Sequence, residues 1–233
     1  MRIYRRSAAT QVRVDYGVAL ARGLSNFDKT KPHAVAFKQL NDELDAQHKT
    51  RVALRKAWLE ARQDVRFADY NVDMVLRAYR ASAKIADGGR IGPISKATLP
   101  KGVTVVTAPS GASQLPALNE VVRDLVNARV EGVEAFRAAE LPKLEAAKTE
   151  IETAVAGYQS ARDAYFAAFA VERAMRDEHR LAVTAMKGTV ASLFPDDKRI
   201  QSVIFPDSTV TRGTASDDEV DDDESNEDGS DEE

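Results

Sequence analysis

The chain has 233 residues, 43% of them hydrophobic and only 6% aromatic, with 33 basic and 37 acidic side chains for a net charge of −4. This is enough apolar material for a substantial core, and the balance suits close helix–helix packing better than a sheet sandwich, which draws on β-branched and aromatic residues. There is no cysteine, which excludes disulfides, thiolate metal sites and cysteine nucleophiles, and no stretch approaches the roughly 20 apolar residues of a membrane span.

The first six residues, Met1 to Arg6, are basic but lack the apolar centre of a signal peptide. A cytoplasmic protein is the expectation. Residues 7–23 read as a short helix, with Ser7 as N-cap and Gly23 as C-cap, and with Val12, Tyr16, Val18, Leu20 and Leu24 on its apolar face. Pro32 then favours a fresh helix start.

From Ala34 to Asp87 there is neither glycine nor proline. One heptad position falls on Phe37, Leu44, Arg51, Trp58, Val65, Val72, Tyr79 and Ala86, and its partner on Leu40, Gln47, Leu54, Ala61, Ala68, Val75 and Ser82. Apart from Gln47, Arg51 and Ser82 these are apolar. An ordinary 3.6-residue stripe drifts about 20° per heptad, so a seven-residue beat held this long predicts a single long helix in coiled-coil-like packing over 34–87. The only candidates for a kink are Gln63-Asp64 and Asp69 to Asn71.

Gly88-Gly89 ends that helix, and 88–114 reads as a loop rich in Gly and Pro, with Val103 to Thr107 as a short extended stretch. Ser113 is the expected N-cap of a helix over 116–140. Pro142 restarts the chain, and 142–193 reads as a second long helix interrupted only at Gly157 and Gly188. Its heptad stripe holds Leu144, Ile151, Tyr158, Tyr165, Glu172, His179, Met186 and Leu193. The partner positions, Ala147, Ala154, Ala161, Ala168, Met175, Ala182 and Thr189, are small enough for two helices to approach closely. Each half has a short helix, a long helix and then an apolar residue before proline, which suggests a pseudo-twofold repeat.

Between Asp217 and Glu233 there are 12 acidic residues and no basic one, which leaves 33 basic against 25 acidic residues, net +8, in 1–216. Such a tail cannot bury enough apolar surface to offset its ordering entropy, so 209–233 is expected to be disordered. The fold class expected is all-α: an elongated antiparallel bundle of two long and two short helices over 1–208, followed by this tail.

No catalytic, cofactor-binding or metal site is expected in this chain. No phosphate-binding glycine loop or nucleophile elbow is present. The three histidines, His33, His48 and His179, have no triad setting. A carboxylate-bridged metal centre needs paired Glu-x-x-His motifs, whereas this chain offers only Asp45-x-x-His48, with Glu172 and His179 seven apart. These polar groups are expected to set helix register, with Arg51 against Glu172 as the pair to look for. The expected function is therefore a non-enzymatic scaffold or assembly protein, with itself or a helical protein as partner and no cofactor, small-molecule substrate or membrane. The alternative is a nucleic-acid-associated protein whose basic body is tuned by the acidic tail.

Overall fold

The computed structural model describes residues 3–206, and the expected tail lies outside them. Among the described residues the secondary structure is helical, with no strand. The order is α1 Thr10–Ser25, α2 Lys31–Ala86, α3 Pro93–Thr98, α4 Thr104–Thr107, a 3₁₀ turn Gly111–Gln114, α5 Leu115–Asn127, α6 Val133–Leu193 and α7 Lys198–Ile204. The two long helices, α2 and α6, pack together. The chain divides into two compact units, Met1–Val52 with Ala167–Glu233, and Ala53–Phe166.

Every stripe position on both long helices is buried or half-buried except Ala86, which ends α2 in the open. The seven-residue beat therefore marks the packed face. α2 passes Gln63-Asp64 and Asp69 to Asn71 as continuous helix.

The boundaries differ from expectation in ways that have physical causes. α1 starts at Thr10 after Ala9, and Ser7 makes no cap. Gly23 lies inside α1, where a Cβ would meet the carbonyl oxygen of Ile204 at 2.0 Å, so it serves close packing of the segment at the end of α7 and does not stop the helix. Val18 is exposed, and Val14 takes the buried place. Residues 88–114 are not a bare loop, because they contain α3, α4 and the 3₁₀ turn, and Val103 to Thr107 is helical rather than extended. Asp87 organises the entry to α3: its carboxylate accepts from the amides of Gly92 at 3.0 Å, Ile94 at 2.9 Å and Ser95 at 2.8 Å. Burial works against the ionised form of Asp87, and these hydrogen bonds outweigh it, holding the carboxyl below its usual range.

The expected helix over 116–140 is cut in two, because α5 ends at Asn127 and Gly132 takes a φ of 75°. Ser113 lies in the 3₁₀ turn and does not cap α5, whose N-cap is Gln114. α6 then runs through Pro142, Gly157 and Gly188 without a break. Pro142 costs the helix one amide bond to Ala138. Both residues are exposed, so water can satisfy the freed carbonyl.

In the first unit the apolar core gathers Tyr16, Leu20 and Leu24 of α1, Phe37 of α2, Val183 and Val190 of α6, and Ile204 of α7. In the second unit Val72, Leu76 and Tyr79 of α2 pack with Leu118 and Leu125 of α5, and with Leu144 and Ile151 of α6.

Candidate functional site

The first unit contains a buried polar cluster. Glu172 on α6 accepts from Thr10 Oγ1 at 2.5 Å and from Arg51 Nε at 2.6 Å, and His48 Nδ1 stands 3.3 Å from the same carboxylate. Thr10, Arg51 and Glu172 are 2%, 3% and 1% exposed. Burial alone would raise the Glu172 pKa. The hydrogen bonds from Thr10 and Arg51 and the charge of Arg51 outweigh it, so the group is held below its ordinary value and stays ionised.

His179, fully buried, sits near this group on the same helix. Its Nε2 lies 3.1 Å from Asn41 Oδ1 and its Nδ1 lies 2.7 Å from the Tyr4 hydroxyl. With Asn41 presenting an acceptor, Nε2 carries the proton and Nδ1 accepts from Tyr4. Burial, with a contribution from Arg13, pushes the His179 pKa down to about 4, so the ring is neutral at pH 7. Arg13 is itself buried and donates to the carbonyls of Ala8 at 2.9 Å, Arg176 at 3.1 Å and Arg6 at 2.5 Å.

The structure thus unites Arg51, His48 and Glu172 and sets His179 in a separate set of hydrogen bonds. Asp45 pairs instead with Lys49 at 2.7 Å, and His33 lies in the first turn of α2. No group of three or more histidine, aspartate or glutamate side chains is arranged to hold a metal among the described residues. Thr10, Tyr4 and Asn41 were missed as members because they lie off the heptad stripes. Gly17 carried a signal that could have been read: a Cβ there would fall 1.8 Å from Asn41 Oδ1 and 2.9 Å from His179 Nε2. Gly17 and Gly23 mark close approaches of this kind, whereas Gly157 and Gly188 inside α6 face open space. The hydrogen bonds of this cluster seat α1 on α2 and α6.

No protein-family model, curated protein or solved structure matches the chain.

The second unit has two surfaces of interest. No residue from Ala53 to Asp64 on α2, or from Glu152 to Ala164 on α6, is buried. Along this stretch the Trp58 ring stacks on Tyr165 at 5.2 Å, while Leu59 and Phe166 remain exposed. Beside it runs an open groove floored by small side chains, among them Ala61, Ala146, Thr153, Ala154 and Gly157, and rimmed by Phe67, which is 60% exposed. By contrast, the crevice between α5 and the Thr98–Val106 segment has a volume of about 20 Å³, room for a single water. The other surface is the outward side of α2.

Proposed function

We propose that this protein is a non-enzymatic scaffold or assembly protein that works by packing helices, with a second copy of itself or with a helical partner. The observation that carries this reading is the stretch of α2 and α6 in the second unit where neither helix buries a residue. Helices in proteins owe most of their stability to burying an apolar face. Here Phe67 stays exposed on the rim of a groove floored by small residues, and small residues allow a further helix backbone to approach closely.

The test uses the absence of cysteine. Thr153→Cys places a unique thiol in the groove for cross-linking, and sedimentation equilibrium gives the mass against the 25.5 kDa chain. Self-assembly predicts a multiple of that mass, cross-linking through residue 153, and return to the single-chain mass with Phe67→Glu. A helical partner predicts a single-chain mass and a cross-linked product, from extracts of the source cells, that Phe67→Glu abolishes. Neither product, at concentrations up to about 100 μM, would remove the reading.

A second reading, association with nucleic acid, is supported by the net +8 of residues 1–216 and by the outward face of α2.

A further inference from the structure

Between Ala53 and Ala86, the residues of α2 that face away from α6 form one stripe. At 3.6 residues per turn, an arc of about 120° centred on Leu59 collects Arg55, Arg62, Arg66, Arg77, Arg80 and Lys84. Lys56 and Arg77 share the arc but face Glu60 and Asp73 at 3.7 and 3.8 Å. Asp73 is the only acid within it, and its carboxylate also accepts from Gln114 at 2.8 Å. Arg55, Arg62, Arg66, Arg80 and Lys84 make no ion pair among the described residues, and the four arginines are exposed. A helix surface kept in solution by salt bridges mixes its signs. This one is almost wholly cationic.

The same arc presents Tyr70, 59% exposed, one turn from Arg66 and two from Arg77. From Arg55 to Lys84 the stripe extends about 44 Å at 1.5 Å per residue. A rigid duplex winds its phosphates away from a straight helix after a few contacts. A flexible single strand can follow the whole line and lay a base on an exposed aromatic ring. An anionic lipid surface fits less well, because a membrane-surface helix sets its bulky apolar residues on a face of their own, whereas here the cations share one arc with Leu59, Tyr70 and Met74.

We propose that the outward face of α2 binds single-stranded nucleic acid, with Arg62, Arg66 and Arg77 on phosphates and Tyr70 stacked on a base. This rests on the nucleic-acid reading and is independent of the groove. The experiment is a fluorescence titration of the full-length chain with a labelled single strand of about 20 nucleotides, and with the same sequence as a duplex, at several salt concentrations. Three proteins are compared: the parent, Arg62→Gln/Arg66→Gln/Arg77→Gln, and Tyr70→Ala. All changed positions are exposed, and circular dichroism checks that helix content is kept.

The expected result is preference for the single strand, with at least tenfold weaker binding by the triple variant. Its log–log salt slope should be flatter by about 2, at roughly 0.7 per phosphate lost. Tyr70→Ala should weaken binding at least fivefold with the slope unchanged, as loss of stacking without loss of charge requires. No binding to either nucleic acid at low salt would overturn both this proposal and the nucleic-acid reading. Binding that all three proteins share equally would overturn the assignment to α2 alone. Capture by vesicles containing 30% phosphatidylserine that only the triple variant loses, with oligonucleotide binding unchanged, would make the face a lipid-binding one and refute the proposal.

Discussion

Glu172→Ala is the perturbation that most directly probes the buried cluster. It deletes a carboxylate 1% exposed and leaves Arg51, 3% exposed, with its cation buried and its partner 2.6 Å away removed. Thr10 loses its acceptor as well. Breaking a buried ion pair from one side costs about 3–5 kcal/mol, most of it the penalty of the stranded charge. With a urea m-value of about 2 kcal/mol per molar, typical of small proteins, the unfolding midpoint should fall by about 1.5–2.5 M. The assay is urea unfolding followed by fluorescence of the only tryptophan and by circular dichroism. Arg51→Met with Glu172→Leu supplies the control: removing both charges together should recover most of the loss, because no buried cation is left without its carboxylate. A midpoint shift under about 0.5 M for Glu172→Ala, or a double variant as damaged as the sum of its singles, would refute this account. The exposed pair Lys49–Asp45 offers a contrast, since Asp45→Ala should cost under about 1 kcal/mol.

Further expectations concern pH, close packing and capping. Because burial holds His179 at about 4, below its ordinary 6.5, the unfolded chain takes up a proton more readily than the folded one between those values. That contribution is complete above about pH 6.5 and fades as pH falls towards 4, by about 3 kcal/mol in all. The lowered Glu172 adds loss below its own unfolded range. His179→Gln should flatten the stability profile between pH 6.5 and 4 in denaturant midpoints measured at each pH. Gly17→Ala should destabilise by several kcal/mol through its 1.8 Å clash, whereas Gly157→Ala, with nothing within 4 Å of the added carbon, should stabilise α6 by about 0.5–1 kcal/mol; thermal unfolding distinguishes them. Asp87→Ala should cost about 1 kcal/mol and speed hydrogen exchange at the amides of Gly92, Ile94 and Ser95.

The long helices and the positions that pack were legible because a period of seven is a property of the sequence itself. Arg51 and Glu172 could be paired in advance because they are opposite charges on stripes that carry no other Asp, Glu, Lys or Arg. Thr10 and Asn41 could not, since their roles depend on where α1 lies, and no local pattern sets that. The errors were local signals overruled by context. Pro142 reads as a break, yet its freed carbonyl partner is exposed and the helix continues. Val103 to Thr107, rich in β-branched side chains, nevertheless forms a helical turn with Val106 buried. Gly23 reads as a stop and serves instead as a contact. The groove and the cationic stripe of the second unit depend on which faces remain uncovered, and only packing reveals that.

The close approach at Gly17 implies a keyed fit. Sliding α1 along its seat by one residue would bring Tyr16 or Val18 to a site that rejects even a methyl group. α1 therefore has no half-shifted docked state: it is seated or released as a whole. Backbone amides from Val14 to Leu24 should accordingly exchange with solvent as one cooperative block, with common protection, where a helix lying on a smooth apolar surface would fray progressively from its ends.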